Sequence, residues 1–296
     1  MNTSELFVSF GPDLALALQR NVADSILEDK GSCDYTGLLI APEKRCVASV
    51  LCRDSAVIAG QPWFEGVFKV LDPSVQVEWL VQEGQPVLPG TPVCEIRGNA
   101  RAMLTAERPA LNWLQTLSAV ATKTRQLSRL VAGTQAAVLD TRKTLPGMRL
   151  AQKYAVRVGG GLNQRLALYD GILIKENHIA AAGGIAQALE RAHAVRSNQV
   201  SVQIEVETLG QLQEALGAGA RSILLDNFSL QAMLEAVEIN RNFAQNSTDG
   251  MPALLEASGG VSEDSIRAIA QTGVDRISVG ALTKDIKAVD FSLRVQ

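Results

Sequence analysis

The 296-residue chain has little of what marks several common protein classes. It contains four cysteines, Cys33, Cys46, Cys52 and Cys94, with neither a CxxC pair nor a regular framework. A chain of this length does not depend on disulfides, so reduced structural thiols are expected rather than a zinc site. Aromatic residues make up 4% and the formal net charge is −3, which argues against the broad basic face that nucleic-acid binding requires. No stretch reaches the roughly 20 uninterrupted apolar residues of a membrane span, and MNTSELFVSFG lacks the basic start and apolar run of a signal peptide. A soluble, cytoplasmic protein without membrane or nucleic-acid partners is expected. The nucleotide-loop patterns GxGxxG and GK[ST] are missing as well. The three glycines at 159–161 have neither spacing, and their expected role is to end a helix and turn the chain back.

What the chain does have is bulk: 47% of its residues are hydrophobic, enough for two medium cores. From Ala136 onward, short apolar runs alternate with amphipathic helical patterns. The runs AAVLDT (136–141), GILIK (171–175), VSVQIEVE (200–207), SILLDN (222–227), ALLEAS (253–258) and RISVG (276–280) read as strands. Between them, Leu150, Tyr154, Ala155 and Val158 share a helical face, as do Leu209, Leu212 and Leu216, and Ile266, Ile269 and Ala270. Pro146-Gly147 breaks the chain before one helix, and Ser262 followed by Glu263 and Asp264 starts another. Buried strands alternating with helices mean a parallel sheet, open or closed into a barrel. The earlier stretch 75–98 alternates apolar and polar residues between Gly and Pro turns, the pattern of antiparallel strands. Residues 107–133 read as one or two helices.

Polar residues then fall where a parallel β/α architecture places chemistry, at the C-terminal ends of strands. The six runs end in Arg142-Lys143, Lys175 with the following Glu-Asn-His, Glu205-Val-Glu207, Asp226-Asn227, Ser258-Gly259-Gly260 and Gly280. Strand alternation puts Glu205 and Glu207 on one inward face. Glu207, nearer the mouth, takes the active role, and Glu205 is the expected buried partner of a Lys or Arg. Asp226 acts there too or merely caps the next helix. Ser258-Gly259-Gly260 and Gly280 offer backbone N–H groups to a phosphate. Cations, two carboxylates and a phosphate cradle at one mouth suit ribosyl transfer from a diphosphate: cations favour the leaving pyrophosphate, carboxylates the oxocarbenium-like ribose.

The run TRKTLPGMRLAQKYAVRVGGG, then NQR, LYDGILIKENHI, QIEVE, LLDNF, EASGG and SVGALTK, with AERPALN earlier, resembles the quinolinate phosphoribosyltransferase family over essentially the whole chain. That family is also called nicotinate-nucleotide pyrophosphorylase. The resemblance implies an α/β fold: an N-terminal α/β sandwich over residues 1–116, joined by the C-terminal segment 285–296, and an open parallel β/α barrel over 117–284. It implies transfer of phosphoribose from phosphoribosyl pyrophosphate (PRPP) to quinolinate with magnesium and with decarboxylation, giving nicotinate mononucleotide, pyrophosphate and carbon dioxide on the route to NAD. It implies a homodimer, alone or further assembled, in which one subunit's N-terminal domain covers the other's mouth. Arg142 and Arg165 would then hold the carboxylates of quinolinate, with Arg108 reaching in from the partner. Lys143 and Lys175 would face quinolinate and the phosphates, Glu207 and Asp226 magnesium and the ribose hydroxyls, and Ser258, Gly259, Gly260 and Gly280 the 5-phosphate. Lys284 stands where some members have a histidine near the phosphates.

Two departures stand out. Gln164 occupies the histidine position of the family's GGGxNHR stretch, where an uncharged amide can still donate to a carboxylate, and Pro109 follows Glu107-Arg108 where a small hydroxyl residue is commoner. Arg149, Lys153 and Arg157 recur at helical spacing and read as a solvated face. Two rivals remain at this stage: a related phosphoribosyltransferase acting on another pyridine or anionic acceptor, and a carrier module suggested by the turns of EGQPVLPGTPVCEIRG. The hairpin of the second has no lysine at its tip to modify.

Overall fold

The structure, a computed structural model, describes residues 3–197, 200–246 and 250–296. In chain order its elements are α1 (Thr3–Phe10), α2 (Pro12–Lys30), β1 (Arg45–Cys52), β2 (Ala56–Val57), α3 (Gln61–Leu71), β3 (Gln76–Trp79), β4 (Pro86–Val87), β5 (Thr91–Asn99), α4 (Ala100–Leu130), β6 (Ala137–Leu139) and α5 (Arg149–Gly159). They continue with β7 (Gly171–Ile174), α6 (Glu176–Ala182), α7 (Ile185–Val195), β8 (Ser201–Val206), α8 (Leu209–Gly217), β9 (Ser222–Asp226), α9 (Leu230–Gln245), β10 (Leu254–Ser258), α10 (Glu263–Gln271), β11 (Arg276–Ser278), α11 (Ala281–Lys284) and β12 (Phe291–Val295). No helix among the described residues is long and apolar enough to cross a membrane.

The chain forms two compact units. The first gathers residues up to Arg125 with Thr144–Gly160 and Ala281–Gln296. Its sheet is antiparallel in the order β12-β1-β5-β3. Alternation in β1 turns Ala48, Val50 and Cys52 inward, all at 0% exposure. Helix α3 buries Trp63, Phe64, Val67 and Phe68, the i, i+3, i+4 stripe of an amphipathic helix. Tyr154 of α5 lies with its ring 5.1 Å from that of Trp63. Helix α5 ends in the GGG run as the sequence implies: Gly160 caps it at φ 94°, and a Cβ on Gly159 would stand 2.6 Å from the Ala121 carbonyl oxygen. The solvated-face reading fails for α5, because Lys153 is fully buried, Arg149 and Arg157 are half-buried, and every residue from Ala151 to Val156 is buried, so the helix is enclosed nearly all round. Helix α4 runs unbroken through Pro109, so the substitution does not interrupt the element that carries Arg108. The four cysteines are free thiols, Cys52 and Cys94 buried.

The second unit comprises Gln126–Lys143 and Gly161–Gly280. Its six strands pair in parallel in the order β6-β11-β10-β9-β8-β7. All six lie within the runs read from the sequence. Ile223, Leu224 and Leu225 are buried in succession, the signature of a strand covered on both faces. Helix α10 is capped by Ser262, whose hydroxyl accepts from the Ser265 N–H, and it turns Ile266, Ile269 and Ala270 inward. The sheet is open between β6 and β7. On the free edge of β6, Leu162 makes a single parallel bridge to Leu139. Asp140, fully buried, holds this segment by accepting from Asn163 Nδ2 at 2.6 Å and from the Gln164 N–H at 2.9 Å.

Candidate active site

In a parallel sheet all C-terminal strand ends face the same way, so their side chains meet around one mouth. Following the sheet from β7 to β6, that edge presents Lys175, Glu207, Asp226, Ser258-Gly259-Gly260, Gly280 and Arg142-Lys143. Contacts link neighbours along it. Lys175 Nζ donates to Glu205 Oε2 at 2.8 Å and to Oε1 at 3.0 Å, the partnership expected for Glu205. The pair orders the ammonium and lowers the cost of a carboxylate that is only 9% exposed. His178 Nδ1 accepts from the Lys175 N–H at 3.0 Å, so this histidine serves the start of α6. Glu207 is exposed, and its N–H is held by Gln211 Oε1 at 2.7 Å.

The reading of Asp226 as a helix cap is excluded. Helix α9 is capped by Ser229, whose hydroxyl accepts from the Ala232 N–H at 3.2 Å. Asp226 Oδ2 instead accepts from Asn227 Nδ2 at 2.9 Å. Asn227, at φ 56°, is the one non-glycine residue with positive φ among those described. Its backbone N–H reaches the Ser258 carbonyl at 2.9 Å, tying the β9 end to the β10 end. Gly259 and Gly260 have φ of 106° and 57°, and a Cβ on Gly259 would fall 2.1 Å from Asn227 Oδ1. Only glycine fits that close approach. At Gly280 a Cβ would meet Lys143 Cδ at 3.1 Å, so the lysine lies across the bare backbone just beyond β11.

Gln164 and Arg165 come from the segment beside β6 rather than from a strand end. They line a cavity of about 290 Å³ together with Gly171, Ser201, Ser222, Leu254 and Arg276, the first residues of β7 to β11, and with Gln203 and Glu256 inside the sheet. The cavity therefore lies towards the N-terminal ends of these strands, on the side away from the mouth, and the structure does not place Gln164 among the strand-end residues. Arg165 donates from Nη1 to the Gly171 carbonyl at 2.9 Å. Its pKa is lowered, first by burial and then by the nearby charge of Arg142, against the opposing pull of Asp170. Arg142 Nε is buried without a hydrogen-bond partner. A buried guanidinium donor left unused on Arg142, near the second guanidinium of Arg165, is chemically suited to a planar anion. Glu256 is 1% exposed and burial raises its pKa.

Arg108 and Lys284 belong to the first unit. Arg108 is exposed and lies 3.7 Å from Glu107, and Lys284 pairs with Asp285. Among the described residues no group of three or more His, Cys, Asp or Glu could hold a metal. Gln203, Glu256 and Asp140 did not emerge as site residues from the sequence, and Asn227 emerged only as the strand-end neighbour of Asp226. Asp140 had a signal in its place at a strand end, whereas Gln203 and Glu256 lie mid-strand, where only a polar residue at an inward position marks them.

An open sheet of parallel strands, lysines and acids at their ends and a glycine-lined turn define a β/α transferase for multiply anionic substrates. Comparison with known proteins places it further. The family model for the C-terminal domain of quinolinate phosphoribosyl transferase matches residues 120–294, and that for its N-terminal domain residues 34–118. The chain belongs to the quinolinate phosphoribosyl transferase family. It is 39% identical over 280 residues to a probable nicotinate-nucleotide pyrophosphorylase [carboxylating] of Bacillus subtilis, covering 95% of this chain and 94% of that one. A mitochondrial quinolinate phosphoribosyltransferase [decarboxylating] of Nicotiana tabacum is 38% identical, over 84% of this chain and 73% of that one. The solved nicotinate-nucleotide pyrophosphorylase of Francisella tularensis superposes with a TM-score of 0.88 at 45% identity, covering 95% and 96% of the two chains.

Proposed function

We infer that this protein transfers phosphoribose from PRPP to quinolinate and decarboxylates the adduct, releasing nicotinate mononucleotide, pyrophosphate and carbon dioxide in NAD biosynthesis. The observation that carries the choice of acceptor is the buried, unpartnered Nε of Arg142, near the second guanidinium of Arg165. Two forked cations suit a pyridine with two carboxylates better than one with a single carboxylate. Lys143 and Lys175 meet the phosphates, and the turn Ser258-Gly259-Gly260 with Gly280 takes the 5-phosphate on backbone N–H groups.

In the reaction the ring nitrogen of quinolinate attacks the anomeric carbon while the bond to pyrophosphate breaks. The pyridinium so formed accepts the electron pair released when the adjacent carboxylate leaves as carbon dioxide, and that carbon then takes up a proton. Glu207 and Asp226 stabilise positive charge developing on the ribose. They also fit magnesium as hard oxygen donors on adjacent strands, too few for a closed cage, as suits an ion that shares its coordination with substrate phosphates. Bound there, magnesium would offset the charge of the leaving pyrophosphate. A homodimer would supply the exposed Arg108 of the partner subunit to the acceptor.

The test is to incubate the purified protein with PRPP, magnesium and either quinolinate or nicotinate, following nicotinate mononucleotide and carbon dioxide. Product with equimolar carbon dioxide from quinolinate, and none from nicotinate, is expected. Turnover of nicotinate alone would assign the arginine pair to a different acceptor.

A further inference from the structure

A chain of polar side chains crosses the interior of the parallel sheet. Gln203 on β8 is 6% exposed and Glu256 on β10 is 1% exposed. Gln203 Nε2 donates to Glu256 Oε2 at 3.0 Å, Gln164 Nε2 donates to Gln203 Oε1 at 2.6 Å, and Gln164 Oε1 accepts from the Arg165 N–H at 2.6 Å. Polar groups this deep in a barrel would ordinarily be replaced by apolar packing unless their direction matters.

The direction of this chain follows from its two ends. The peptide N–H of Arg165 can only donate, so Gln164 must turn its oxygen towards it and its amide nitrogen inwards. Gln203 must then offer its oxygen to Gln164 and its nitrogen to the far end, where a carboxyl oxygen of Glu256 accepts. Only one arrangement of the two amides satisfies every link. Its near end is the backbone of Arg165, whose guanidinium is separately tied to the Gly171 carbonyl and faces the charge of Arg142.

We propose that Gln203 and Glu256 are positioning residues that fix the amide of Gln164 and, through it, the seat of Arg165 in the acceptor site. Gln164 thereby acts on the acceptor through Arg165. The proposal rests on the reading of Arg165 as a carboxylate ligand of quinolinate.

The experiment is steady-state kinetics of the full-length protein with quinolinate, PRPP and magnesium, for wild type and for Gln203→Met, Gln203→Leu, Glu256→Leu and Glu256→Gln. Loss of a link should raise KM for quinolinate about tenfold while kcat and KM for PRPP stay within about twofold. Glu256→Gln keeps an acceptor oxygen at the end of the chain and should restore the wild-type KM. A purely structural role would instead lower the active fraction, and hence kcat, with both KM values unchanged. Gln203→Met, close to glutamine in shape, keeps the test open where a leucine variant does not fold. An unchanged KM for quinolinate in Gln203→Met overturns the positioning role. Wild type that does not turn over quinolinate overturns the reading of the site itself, and the proposal with it.

Discussion

Lys175 and Glu205 illustrate how unequal the two halves of an ion pair can be. The lysine side chain is 45% exposed and the glutamate 9%, so water can solvate the cation but barely reaches the anion. Removing Lys175 strands a carboxylate inside the sheet, whereas neutralising Glu205 leaves an ammonium at the mouth that water can solvate. Lys175→Met should therefore destabilise the protein by about 1–3 kcal/mol, and Glu205→Gln by less. Thermal or urea unfolding of the two variants checks the order; equal losses would mean that the pair is exposed in solution. Activity should separate them as well. Lys175→Met would lose the proposed phosphate ligand, while Glu205→Gln keeps the cation but lets it wander.

At the level of elements, one carboxylate controls the start of α3 in the first unit. Glu83 Oε1 accepts from the Gly60 N–H at 2.7 Å and from the Tyr154 hydroxyl at 2.8 Å, and Oε2 accepts from the Gln61 N–H at 3.2 Å. An anion here meets the free N–H groups of a helix start. Burial nevertheless dominates and pushes its pKa from 4.5 up to about 7. The folded state then holds this proton more tightly than the unfolded chain. Stability falls as pH rises from about 4.5 to about 7, by about 3 kcal/mol over that window. Glu83→Gln should flatten this part of the stability profile, which urea titrations at pH 5 and pH 8 would reveal; an unaltered slope would assign the pH dependence to other groups.

The elements also show which parts of the molecule were readable in the sequence. All six parallel strands were, because each is a short apolar run between helical patterns and needs no partner to be recognised. The caps at Ser262 and Gly160 were readable for the same local reason. The burial of Lys153 was not, since helical spacing says which residues share a face but not what that face meets. Nor was the chain Gln164–Gln203–Glu256, whose members are brought together only by strand register. Family resemblance supplied Gln164 as a departure from a histidine, and the structure supplied the two residues it answers to.

For the whole molecule the open question is whether a single chain can complete the acceptor site. Arg108 belongs to the first unit, exposed on α4, while the two arginines of the proposed quinolinate seat belong to the second. In the proposed homodimer Arg108 acts on the partner's site, which can be tested with two variants that are each inactive. Arg108→Ala and Lys143→Ala subunits, mixed in equal amounts under exchange conditions, would form heterodimers with one doubly damaged site and one intact site. About a quarter of wild-type activity should then return, since half of the dimers are mixed and each has one working site of two. Heterodimers confirmed by mass but without recovered activity would show that Arg108 serves its own subunit. Recovery that scales with the fraction of mixed dimers would establish that the protein works only as a pair.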